Sequence, residues 1–256
     1  MAKLLGNNKL YVESPKKVAF INDLEIGGVK PRAKVGKAEK NSTVYFDAEE
    51  LVVNNATLTN DLECYNVFEQ VYDAKTVKKV LKKVTVVGLT LNAKSTNNIF
   101  SMYNFADGAN IVFKNCNFML CDGSNALRVD NLQDAKNVLI TFEDCVWNFQ
   151  STTAYGKDWD ALIIFQDSAH LDAPHFADWK LVVKNCKFGE DSITPETFKN
   201  YADFVITNEE SKNGKALLYM YTAAKSGDTW WKPTENPKLF PVVKIIAGNA
   251  SKEFKA

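Results

Sequence analysis

The sequence predicts an all-β protein: a single-stranded right-handed parallel β-helix with about six to eight coils and irregular caps. Three observations predict it. A six-residue phrase recurs six times, apolar residues alternate on both sides of its third residue, and that third residue is always Asn, Asp or Gly.

The copies are Ile21–Ile26, Val53–Leu58, Val86–Leu91, Phe113–Phe118, Phe142–Trp147 and Val183–Phe188, separated by 32, 33, 27, 29 and 41 residues. Before the third residue the apolar pairs are Ala19 and Ile21, Leu51 and Val53, Val84 and Val86, Ile111 and Phe113, Ile140 and Phe142, Leu181 and Val183. A period of two means a strand with one buried face. After it, alternation resumes with shifted parity: Leu24 and Ile26, Ala56 and Leu58, Leu89 and Leu91, Cys116 and Phe118, Cys145 and Trp147, Cys186 and Phe188. The hinge is Asp23, Asn55, Gly88, Asn115, Asp144 or Asn185. These residue types accept positive φ most readily. Each phrase therefore reads as strand, one-residue corner, strand, and a recurring corner implies stacked layers about 4.8 Å apart. An antiparallel β-sandwich would also alternate, but it would not repeat one corner class at one phase.

In chain order, residues 1–16 are expected as an N-terminal arm or cap, 17–225 as the β-helix, and 226–256 as a C-terminal loop and capping strand. Residues 27–42 read as a basic loop, and 73–83 as a short helix or solvated turn. Further strands are predicted at 67–71, 98–103, 126–129, 161–165, 204–207 and 216–221. Residues 150–160 and 166–178 lengthen the layer between the fifth and sixth phrases. Residues 225–238 read as a loop and 241–247 as a last strand. An open end of such a stack exposes backbone groups and core, so each end needs a cover.

Lys plus Arg equals Asp plus Glu, 31 each. A net charge of zero argues against a nucleic-acid binder that works by bulk electrostatics, and against attraction to a membrane surface. Met1–Lys9 contains no apolar run, so no signal peptide is expected, and synthesis in a host cytoplasm is. Five cysteines without a CxxC pair and only two histidines point away from a disulfide framework and from a zinc site.

The six phrases, over about residues 17–190, resemble the pectate-lyase-like right-handed β-helix superfamily, in which an Asn-type corner joins two strands. That resemblance implies the architecture and leaves activity open: the superfamily holds pectin-cleaving enzymes, tail spikes, adhesins and virion structural proteins. Its hydrolases use clustered aspartates with a Gly-His-Gly type segment, which this chain lacks. Its lyases use a carboxylate calcium site and a basic residue. Here the only arginines are Arg32 and Arg128, and no Arg-x-Pro-x-x-Arg pattern surrounds them.

The best acidic cluster is Asp158, Asp160, Asp167 and Asp172 with His170 and His175, either an acid–base pair or solvated loop residues around 161–165. Cys116, Cys145 and Cys186 share one phase and should stack in the core, as reduced apolar residues or as a bridge between layers. Trp230 and Trp231 with Tyr219 and Tyr221 either form a docking or sugar-stacking surface or pack the end of the stack. The lysine runs 30–40 and 75–83 read as solvated faces. No residue is assigned as catalytic, cofactor-binding or metal-ligating, and no enzyme activity is expected. The expectation is a structural or docking protein of a bacteriophage virion: a capsid-decorating or auxiliary head protein, or a small tail protein. It would bind major capsid or tail proteins and form a homo-oligomer, a trimer by resemblance. The alternative is a carbohydrate-binding or polysaccharide-cleaving β-helix protein.

Overall fold

A computed structural model describes residues 2–5, 9–13, 17–21, 24–27, 43–58, 63–71, 80–92, 95–121, 124–150, 161–207, 216–224 and 227–256. The chain runs through β1 (Ala2–Leu5), β2 (Lys9–Glu13) and β3 (Lys17–Ile21), then β4 (Leu24–Gly27), β5 (Thr43–Asp47) and β6 (Glu50–Asn54). It continues through β7 (Thr57–Leu58), β8 (Glu63–Gln70), β9 (Leu81–Val87), β10 (Thr90–Asn92), β11 (Ser95–Met102) and β12 (Phe105–Lys114). Next come β13 (Asn117–Cys121), β14 (Asn125–Asp130), β15 (Leu139–Glu143), β16 (Val146–Gln150), β17 (Ala161–Asp167) and β18 (Lys180–Lys184). The last six are β19 (Lys187–Phe188), β20 (Asp191–Ser192), β21 (Ala216–Ala224), β22 (Gly227–Trp230), β23 (Val242–Ala247) and β24 (Ala250–Phe254).

These strands form three eight-stranded sheets, each taking every third strand of the chain up to β19. Sheet I is β1-β4-β7-β10-β13-β16-β19-β20, sheet II is β2-β5-β8-β11-β14-β17-β21-β22, and sheet III is β3-β6-β9-β12-β15-β18-β23-β24. The long sheets are almost wholly parallel, which makes the fold all-β and β-helix-like. Only the last strand of each sheet pairs antiparallel to its neighbour.

The corner explains the topology. Asn55, Asn115, Asp144 and Asn185 have φ between 52° and 53°, and Gly88 has φ 67°. Asp23 lies outside the described residues. The corners do not break the ladder: Asn115 N–H donates to the Glu143 carbonyl at 3.0 Å, and beyond the corner Asn117 N–H donates to the Leu89 carbonyl at 2.7 Å. Equivalent residues sit in register, Val53 with Val86, Val86 with Phe113, Phe113 with Phe142 and Phe142 with Val183. Among the described side chains, the alternating positions around the corners are buried except Phe188, which is partly buried. Identical side chains stack: Phe113 lies 4.7 Å from Phe142 at 7°, and Phe68 lies 4.9 Å from Phe100 at 8°. Burying one such ring is worth about 1.5–3 kcal/mol.

The strands expected at 67–71, 98–103, 126–129, 161–165, 216–221 and 241–247 fall within β8, β11, β14, β17, β21 and β23, give or take a residue or two at their ends. Other expectations are corrected. Residues 204–207 do not form a strand. Tyr201–Phe204 is a 3-10 turn, held because the Asp203 carboxylate accepts from the Lys199 and Asn200 amides at 2.7 and 2.8 Å, and only Val205 bridges to Leu218. The segment 225–238 is not all loop, because β22 pairs back on β21 and Pro237–Leu239 is a second 3-10 turn. Residues 81–83 of the supposed helix or turn begin β9, and β24 was not foreseen.

At the C-terminal end of the stack the core is closed by aromatics. Phe198, Phe204 and Phe254 meet edge to face at 5.1 and 5.5 Å, and Tyr201 packs on Phe240 while its hydroxyl donates to the Pro241 carbonyl at 2.7 Å.

Candidate functional site

The polar cluster with most chemistry lies where sheet II gives way to sheet III, on the loop 168–179 and the turn 131–138 one layer before it. Both segments are nailed down. Phe176 and Trp179 leave the loop and enter the core, where Phe176 meets Phe165 at 5.1 Å and Trp179 meets Phe105 at 5.2 Å. Trp179 Nε1 donates to the Ala135 carbonyl at 2.9 Å. In the turn, Asn131 Oδ1 accepts from the Ala135 amide at 2.8 Å, and its Nδ2 donates to the His175 carbonyl at 2.8 Å.

Asp167, at the end of β17, is fully buried and organises the loop. Its Oδ1 accepts the amides of Ala169 and His170 at 3.1 and 2.8 Å, and its Oδ2 accepts the amide of His175 at 3.0 Å. His170 Nδ1 lies 3.0 Å from both oxygens. His175 Nδ1 lies 2.6 Å from Oδ1 of Asp134, and the two imidazoles stack with centroids 3.8 Å apart at 17°. Lys136 Nζ shares the same Asp134 oxygen at 2.6 Å. Lys136 first, and then His175, hold the Asp134 carboxyl below its ordinary range. The carboxylates are acceptors only, so the Nδ1 atoms are the donors, and in a neutral imidazole that places the lone pair on Nε2.

A second buried carboxylate, Asp130 at the end of β14, accepts Ser168 N–H at 2.9 Å and Ser168 O–H at 2.7 Å. Burial pushes its carboxyl up, against the hydrogen bonds from Ser168 and the charge of Arg128. Arg128 donates through Nε to Gln166 Oε1 at 2.7 Å and lies over the Tyr103 ring.

Of the residues the sequence grouped, the structure brings together Asp167, His170 and His175. Asp172 is exposed on the same loop and outside the cluster, while Asp158, Asp160 and Arg32 lie outside the described residues. Asp134 was missed, although a signal existed. It precedes His175 by 41 residues, the same interval that separates the corners Asp144 and Asn185.

The three cysteines stack as expected and are free. Each thiol contacts the carbonyl two residues back across the corner and one in the preceding layer: Cys116 with Lys114 and Val86, Cys145 with Glu143 and Phe113, Cys186 with Lys184 and Phe142. Contact with the Cys145 thiol, and then burial, push the Cys116 and Cys186 thiols well up. They serve as small core donors. Trp230 stacks on Tyr219 and Tyr221 at 4.9 and 5.6 Å on the outside of sheet II, whereas Trp231 packs against the core and donates to Thr222 Oγ1 at 3.3 Å. The lysine run 30–40 lies outside the described residues, as does most of 75–83.

Compared with protein-family models, with curated proteins and with solved structures, the chain matches none.

Proposed function

We propose that the chain is a right-handed parallel β-helix of seven coils, one strand per sheet in each coil, and that it serves as a non-enzymatic structural protein docking other proteins through its walls. The coil number follows from eight strands per sheet less the antiparallel last one. The hand follows from the strong right-handed preference of crossovers between parallel strands.

The observation that carries the role is the outer face of sheet III. Its central row, Val52, Thr85, Val112, Thr141 and Val182, is half-exposed and β-branched, in straight register across five strands. Beside it runs a charged row in which Glu143 takes Lys114 at 3.3 Å and Lys184 at 2.8 Å. Valines alternating with threonines, bordered by charge, give the mixed apolar and polar surface that non-obligate docking faces present. A wall held by an unbroken hydrogen-bond ladder also loses little entropy on binding. The proposed setting is a bacteriophage virion, with major capsid or tail proteins as partners and self-association of the chain. Support for that setting comes from the resemblance of the six phrases to a superfamily that includes virion structural proteins, together with the missing hydrolase and lyase motifs of that superfamily.

The test is mass spectrometry of purified particles. The chain is expected in fixed stoichiometry, and Val112→Glu, which leaves the inner face untouched, is expected to prevent its incorporation. Cleavage of a uronic-acid polysaccharide by the pure protein, or full incorporation of the Val112→Glu variant, would overturn the proposal.

A further inference from the structure

We propose that His170, His175 and Asp134 bind one divalent late transition-metal ion of the zinc class, with Asp167 orienting His170 from behind. The chain has only two histidines, and both project from one loop into stacked contact. One donor atom from each of the three residues lies within 4.8 Å of the other two. A tetrahedral ion with bonds of about 2.0–2.1 Å needs donors about 3.3 Å apart, so closure asks the three partly exposed side chains to draw together and the stacked rings to turn until one nitrogen of each faces the ion.

The donor set fits that ion. Two imidazoles and a carboxylate are the mixed ligands that zinc, nickel and copper accept, and an all-oxygen cage for calcium or magnesium is not what these residues offer. Asp167 holds Nδ1 of His170, which leaves Nε2 as the ligating atom, the carboxylate–histidine–metal arrangement in which the buried acid fixes ring and tautomer. With Nδ1 as the donor, the Nδ1–H of His175 lies against Asp134 Oδ1 at 2.6 Å. The ion takes the place of that proton, the ring proton moves to Nε2 of His175, and Lys136 gives up its hold on the carboxylate. Water completes the coordination. The consequence is mechanical: the ion ties the loop after β17 to the turn after β14, and so ties two successive layers on the outer side of the stack.

The presence of exactly two imidazoles makes the test clean. On the folded wild-type protein, one equivalent of Zn2+ is expected to shift the ring nitrogen signals of both histidines in NMR spectra. Calorimetry is expected to give one zinc per chain. His170→Ala and His175→Ala should each weaken binding at least tenfold, and Asp167→Asn by about 10–100-fold as a group behind a ligand does. Zinc should raise the melting temperature of the wild type and not of His170→Ala. Unmoved histidine signals at equimolar zinc, or zinc uptake unchanged in the His170→Ala/His175→Ala double variant, would overturn the site.

Discussion

The corner between sheets III and I and the turn between sheets II and III solve the same problem in opposite ways. At the corner, one residue in the left-handed region turns the chain, and Asn55, Gly88, Asn115, Asp144 and Asn185 repeat it layer after layer. On the other side, the connection is two residues between β11 and β12, eight between β14 and β15, and twelve between β17 and β18. The repeated corner leaves no room for individual chemistry, because each side chain beside it must fit the apolar side chain at the same position of the next layer, about 4.8 Å away. The unequal turns are free of that condition. There the chain places two of its buried carboxylates, Asp130 and Asp167, and both of its histidines. Regularity supplies the stack, and irregularity supplies whatever distinguishes this stack from another.

The sharpest way to break this comparison is to remove a ring from the regular side. Phe113→Ala deletes one member of the Phe113–Phe142 stack in a core that cannot collapse without moving the ladder, and is expected to cost about 3–5 kcal/mol in urea unfolding. A cost below 1 kcal/mol would mean that the layers do not depend on register. The matching experiment on the irregular side is Asp167→Ala. It orphans the amides of Ala169, His170 and His175 and is expected to cost about 1–3 kcal/mol, with proteolysis appearing between 168 and 175 while amide exchange at the corners stays slow. Loss of corner protection in that variant would show that the two sides are not separable.

Smaller effects sharpen the corner itself. Asn115→Ala places a residue without a local hydrogen-bonding side chain at φ 53° and is expected to lose about 1 kcal/mol, whereas Asn115→Gly is expected to be near neutral by thermal unfolding. Gly88 is the exception in the row, since a Cβ there would lie 2.5 Å from Asn55 Oδ1; Gly88→Asn is therefore expected to be less stable than wild type although every other corner carries a side chain. The smallest effect belongs to the outer wall. Lys184 first, and Lys114 with it, hold the Glu143 carboxyl below its ordinary range, so its contribution is present above the usual carboxylate pKa and disappears as the pH falls through the lowered value. Glu143→Gln is expected to cost under about 1 kcal/mol at pH 7, and less still in 1 M salt. An undiminished cost at high salt would point to packing and not charge.

Much of this was legible beforehand because the corner is local. A positive φ is a property of one residue and its two neighbours, so Asn55, Asn115, Asp144 and Asn185 announced themselves by type, and the parity shift announced the buried positions on either side. The candidate site was only half legible. His170, His175 and Asp167 lie close in the chain and were grouped, but Asp134 joins them only across a layer, and it is found by subtracting one layer's length from its partner His175. The strand expected at 204–207 is instead the last residue of the 3-10 turn Tyr201–Phe204 followed by a single bridge at Val205, because aromatic residues here plug the end of the stack, where burial no longer implies alternation.

Residue order alone therefore determined the all-β class, the corner and the inward-facing set, since each follows from backbone preference and the period of apolar side chains. Only the tertiary structure decided which carboxylate meets which imidazole, how the three sheets are finished by antiparallel strands, and how the cysteine thiols are satisfied. Those outcomes depend on which residues of different layers come to lie side by side, and that is set by the lengths of the connections between strands and not by the preferences of any one of them.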